Sequence, residues 1–105
     1  MAQINALITE KITMFLSRVG EQGIHIDSAY LFGSFVKGND GKWSDIDIAV
    51  ISSDISEDRL KERVRLMMIA CDIDNRIEPV PFRPEDFTDE DPLVWEIKRY
   101  GVKLV

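Results

Sequence analysis

The chain has 105 residues, 45% of them hydrophobic, which is enough for one small buried core and argues against a disordered segment. Thirteen basic and 19 acidic residues leave a net charge of −6, a poor match to a nucleic-acid backbone, so direct nucleic-acid binding is not expected. A single cysteine, Cys71, excludes an internal disulfide; lying in the apolar run Leu66-Met67-Met68-Ile69-Ala70-Cys71, it reads as a buried small hydrophobe. No apolar stretch is long enough to cross a bilayer, and the N-terminus lacks the basic-then-apolar pattern of a signal peptide. These features suggest a cytoplasmic, single-domain protein over residues 1–105, with no membrane association.

Residues 3–20 place Ile4, Leu7, Ile8, Ile12, Phe15, Leu16 and Val19 at gaps of three and four, a helical stripe ended by Gly20 and Gly23. Residues 28–32 form a short apolar run that predicts a buried strand, broken at Gly33-Ser34. The stretch from Val36 to Trp43 has the turn chemistry of a polar loop. Residues 44–52 alternate polar and apolar at first and end continuously apolar, as expected of a strand whose start faces a site and whose end is buried. A second helix is predicted over 57–72, capped by Ser56, with Leu60, Val64, Met67 or Met68 and Cys71 turned inward. The charges Arg59, Lys61, Glu62, Arg63 and Arg65 would then cover its solvated face.

Residues 76–82 predict a third strand. Pro79 and Pro81 make it an edge strand, because both leave the same side of the ladder without an N–H. Asp91-Pro92 opens a last helix with Leu93, Val94, Ile97 and Tyr100 facing inward, Gly101 ends it, and residues 102–105 could add a terminal strand. Helices alternating with strands favour an α/β or α+β domain with one small sheet.

Chemistry concentrates in two places. Asp45 and Asp47 stand at i and i+2 at the start of a predicted strand, on one face and about 6.5–7 Å apart at the backbone, so their carboxylates can converge on a cation. Mg²⁺ usually takes one or two protein carboxylates together with phosphate oxygens. Gly33-Ser34 follows a buried strand directly: the missing side chain lets a ligand approach the backbone, and N–H groups of a helix opening at Ser34 would suit a phosphate. Lys37 can reach the same anion. An anion cradle beside a cation site is what an NTP·Mg²⁺ complex requires. His25, the lone histidine, sits beside a turn and reads as structural; Trp43 could wall the nucleotide or simply pack.

Gly33-Ser34, Lys37-Gly38 and Ser44-Asp45-Ile46-Asp47 together resemble the signature of the polymerase β-like nucleotidyltransferase superfamily, and most of all its minimal nucleotidyltransferase branch. The resemblance spans nearly the whole chain. It implies a small mixed β-sheet flanked by helices, phosphate binding at Gly33, Ser34, Lys37 and Ser44, and Mg²⁺ held by Asp45 and Asp47, with two ions during transfer and ATP as substrate. Lys37 stands where the family commonly has Arg. The family also uses a third carboxylate on a neighbouring strand, usually Asp; here the candidate is Glu78, as metal ligand or base, with Asp72 or Asp74 as weaker alternatives.

Small members of this branch resemble antitoxins paired with helical HEPN-type toxins, some of which they adenylylate on a side-chain hydroxyl. The resemblance therefore implies a hetero-oligomer with such a partner and transfer of AMP to it. Two other readings stay open: a module that masks its partner by contact alone, and a transferase acting on RNA or a small molecule. The acidic charge argues against RNA.

Overall fold

The computed structural model describes residues 6–33, 36 and 45–105. Helix α1 (Ala6–Glu21) leads into strand β1 (Ser28–Phe32), followed by β2 (Ile46–Ile51), helix α2 (Arg59–Cys71), strand β3 (Ile77–Phe82), a 3₁₀ turn at Pro84–Asp86, helix α3 (Pro92–Tyr100) and strand β4 (Val102–Lys103). The sheet order is β3-β2-β1-β4. β1 is antiparallel to both β2 and β4, whereas β2 and β3 run parallel and are joined through α2, so the sheet is mixed.

Strand alternation divides the core in two. Leu31, Ile46, Ile48, Val50 and Ile77 point to one face, where Ile8, Ile12, Phe15 and Val19 of α1 and Leu66 and Ala70 of α2 cover them. Ala49, Ile51 and Phe82 point to the other face, against Val94 and Ile97 of α3. The end of β2 is buried from both sides, which is why residues 48–51 read as a continuous apolar run.

β3 is an edge strand, as its prolines require. The Pro81 carbonyl faces outward and accepts from Arg59 Nη2 at 3.5 Å, while the Arg59 guanidinium lies 5.0 Å from the Phe82 ring. Prolines and a cation thus close the free edge to further strand pairing. At the far end of the sheet, His25 N–H donates to Asp54 Oδ2, Ser53 N–H donates to Asp27 Oδ2, and the buried Ser52 hydroxyl donates to the His25 carbonyl. His25 therefore belongs to a turn clasp remote from the acidic motif.

Several sequence expectations change. The N-cap of α2 is Asp58, whose carboxylate accepts from Lys61 N–H, not Ser56. The inward face of α2 is Glu62, Leu66 and Ala70; Leu60, Val64 and Met68 point to solvent, and Cys71 is exposed rather than buried. A stripe at helical spacing reveals an amphipathic face but not what covers it. On α1, Leu7 is exposed while Ile8 and Ile12 are buried. On α3, Val94 and Ile97 are buried, but Leu93 is only partly covered and Tyr100 lies outside, edge-on to Trp95. Among the described residues no helix is long and apolar enough to cross a membrane.

Candidate active site

Three elements converge where β1 ends and β2 begins. In the sheet register Asp47 lies opposite Phe32 on one side and opposite Glu78 on the other. Side chains paired across neighbouring strands share a face, so Asp47 and Glu78 project from the face that α3 also covers. Asp45 stands two residues before Asp47 in chain, exposed at the mouth of the strand. Gly33 follows Phe32 with φ +80°. A Cβ on Gly33 would overlap the Asp47 Oδ2, so the turn lies directly against this carboxylate. The Gly33 carbonyl accepts from Val36 N–H at 3.1 Å.

Electrostatics mark the same spot. Asp47 is raised from 3.8 to about 6, first by partial burial and then by the like charges of Asp45 and Glu78. Two like charges thus act on Asp47 beside a glycine turn, and a cation there would offset them. Among the described residues no three His, Cys, Asp or Glu side chains form a ready-made metal cage. Mg²⁺ usually takes one or two protein carboxylates and completes its shell with phosphate oxygens. The carboxylates therefore fit a hard divalent cation such as Mg²⁺.

Glu78 has a second neighbour absent from the sequence reading. Arg63 Nη2 of α2 lies 3.5 Å from Glu78 Oε2, reaching around the β3 edge. Periodicity places Arg63 on a solvated flank of the helix; its meeting with Glu78 follows from the parallel β2-α2-β3 crossover. The alternative carboxylates lie elsewhere. Asp74 is held by Arg76 through paired bonds of 3.1 and 2.9 Å, which keep its carboxyl below the usual range, and Asp72 caps the end of α2 at the surface. Ser34, Lys37, Ser44 and Trp43 lie outside the described residues.

The acidic run near α3 is structural. Arg83 pairs with Asp86 at 2.7 Å, Lys98 pairs with Asp89 at 2.9 Å, and Asp91 caps α3 by accepting from Leu93 N–H at 2.9 Å.

A small mixed sheet with helices on both faces, a glycine turn closing one strand and an acidic pair opening the next, defines the nucleotidyltransferase class. The chain matches the Polymerase beta, Nucleotidyltransferase family over residues 10–104 and belongs to that family. No curated protein matches it closely enough to count. Among solved structures it resembles a mutant form of the toxin–antitoxin MntA-HpeT, with 26% identity, a TM-score of 0.65, and 98% of this chain covering 73% of that one. A toxin–antitoxin crystallised with AMP-PNP matches at 23% identity and a TM-score of 0.65, over 91% of this chain and 71% of that one. A protein from Sulfolobus solfataricus described as a nucleotidyltransferase shares the fold at 21% identity and a TM-score of 0.54, over 98% of this chain and 89% of that one.

Proposed function

We propose that this chain transfers AMP from Mg·ATP to a hydroxyl of a cognate HEPN-type toxin, acting as the antitoxin of the pair. The observation that carries the reading is Asp47 itself: it lies against the Gly33 turn, stands opposite Glu78 in the sheet, and is raised to about 6 by its burial and by the charges of Asp45 and Glu78. Family membership supports nucleotide transfer, and the toxin–antitoxin relatives, one of them holding AMP-PNP, favour ATP and a protein acceptor.

Asp45 and Asp47 would hold Mg²⁺ with Glu78 at its side; the ion would neutralise phosphate charge as the transfer proceeds. Gly33, having no side chain, lets the Asp47 carboxylate lie against the turn, and Gly33, Ser34, Lys37 and Ser44 would bind the triphosphate. Glu78, on the edge strand and open to an incoming acceptor, would take the proton from the acceptor hydroxyl. The acceptor oxygen bonds to the α-phosphorus, the bond from that phosphorus to the bridging oxygen breaks, and pyrophosphate leaves. The test incubates the purified pair with labelled ATP and Mg²⁺. Label on the toxin with the parent chain, and none with Asp47→Ala, is the expected result; an unlabelled toxin with both overturns it.

A contact-only antitoxin is the second reading, favoured by the apolar residues that α2 leaves exposed. It predicts that Asp47→Ala neutralises the toxin as well as the parent does.

A further inference from the structure

α2 faces the wrong way for a helix that ends its work in the core of a single chain. Its buried side includes a carboxylate, Glu62, only 4% exposed and 3.9 Å from Arg65, whereas Leu60 is 74% exposed, Met68 69% and Val64 49%. Burying a charged residue while leaving three large apolar ones in water is an unfavourable arrangement for an isolated domain. At 100° per residue Leu60, Val64 and Met68 form one ridge, directly opposite Glu62 and Leu66.

Cations flank the ridge on both sides. Arg59 and Arg63 lie along the β3 side, where with Leu60, Val80 and Pro81 they line a cavity of about 190 Å³. Lys61 and Arg65 lie along the α1 side, where Arg65 and Met68 join Arg18, Gln22, Ile69 and Asp72 around a groove of about 320 Å³. Between Arg59 and Cys71 the only carboxylate is the buried Glu62, so the outward face is purely cationic and apolar in a chain of net charge −6. Ridge, flanking grooves and cations together describe half of a helix–helix interface.

We propose that this face of α2 is the docking surface for a helix of the partner protein, one with an apolar stripe bordered by Asp or Glu on both sides. Charge complementarity selects that occupant. A second copy of this chain paired through the same face would bring Arg59, Lys61, Arg63 and Arg65 against their own counterparts. A nucleic acid would meet a ridge of aliphatic side chains between the cations, with no aromatic ring on it to stack a base. The partner's identity as a HEPN-type toxin rests on the function proposed above; the chemistry of the surface does not. Arg63 borders the ridge and also touches Glu78, so a helix seated on α2 lies beside the edge of the acidic site. The docking face would thereby deliver the acceptor hydroxyl as well as hold the partner.

The test measures binding of the full-length chain to its co-expressed HEPN-type protein by calorimetry, with light scattering for stoichiometry. Val64→Glu and the double change Lys61→Glu with Arg65→Glu are each expected to weaken the complex by about tenfold or more. Trp95→Glu, on α3 across the sheet, is expected to leave it unchanged. Because all these side chains are exposed, a thermal melt matching the parent's verifies folding. Parent-like binding by Val64→Glu overturns the docking surface, as does a parent chain that does not bind the partner, or a homodimer of this chain that Val64→Glu dissociates. Loss of binding in Val64→Glu, with no AMP adduct formed by the parent pair, upholds the surface and overturns the transferase reading. Unchanged binding in Val64→Glu, with an adduct that requires Asp47, does the reverse.

Discussion

Gly33 and Asp47 are packed so closely that no side chain fits between them: a Cβ on Gly33 would occupy the space of the Asp47 Oδ2, and the backbone there has φ +80°. Two requirements meet at this residue, a left-handed conformation and a close approach to a carboxylate. Gly33→Ala is therefore expected to destabilise the chain by about 1–3 kcal/mol, through backbone strain and displacement of Asp47. Mg·ATP affinity should fall further than the melting temperature alone accounts for. Thermal melts with and without Mg·ATP check both, and a variant that melts and binds like the parent would mean that the turn yields freely.

Asp47 also makes stability depend on pH. Its carboxyl is raised from 3.8 to about 6, so the folded chain holds this proton more tightly than the unfolded chain does. Between those values the native state binds more protons, and stability falls as pH rises towards about 6, staying lower above it. Asp47→Asn removes this penalty. With allowance for solvent screening, the variant should gain about 1–2 kcal/mol at about pH 8 and almost nothing at about pH 4. Denaturant titrations of the ligand-free chain across that range measure it. Mg·ATP should stabilise the parent more at about pH 8 than at about pH 5, and this difference should vanish in Asp47→Asn.

The Arg63–Glu78 pair separates holding from reacting. At 3.5 Å and partly solvated, it contributes under about 1 kcal/mol to stability, so neither Arg63→Ala nor Glu78→Gln should shift the melting temperature much. Glu78→Gln keeps the side chain's shape but cannot accept the acceptor's proton, and AMP transfer should drop by about 10²–10⁴-fold. Arg63→Ala should have a smaller effect. Rates from labelled ATP give the comparison; equal losses in the two variants would point to a structural role for Glu78.

The strands and the glycine turn could be read from residue spacing, because each rests on a local rule: alternation along a strand, a glycine after an apolar run, prolines at alternate positions; Asp45 and Asp47 gained a meaning only together with that turn and the family resemblance. Glu78 could be placed only up to a choice among three carboxylates; the register that sets it opposite Asp47 belongs to the sheet. The orientation of α2 was not legible. Leu60, Val64 and Met68 and the set Glu62, Leu66 and Ala70 are both helical stripes, and the more apolar of the two is the natural choice for the core. The fold selects the other, since α2 must return from β2 to β3 with Leu66 and Ala70 against Ile48 and Ile77. Arg63 was illegible for the same reason, its partner lying beyond the sheet edge.

Gly101 provides a variant that tests the fold apart from the site. Its backbone is ordinary, at φ −72° and ψ 159°, so conformational freedom is not what this position needs. It needs space: a Cβ would run into the Ile97 carbonyl and come within 3.2 Å of the Leu31 carbonyl, where α3 turns into β4 against β1. Both obstacles are backbone and cannot swing aside. Gly101→Ala should lower stability by about 1–3 kcal/mol by forcing α3 and β4 away from the sheet. Asp45, Asp47 and Glu78 lie on other elements, so the folded fraction should bind Mg·ATP as the parent does. Denaturant unfolding and calorimetry on the same sample decide the point: weakened nucleotide binding in a fully folded Gly101→Ala chain would show that α3 and β4 support the site directly.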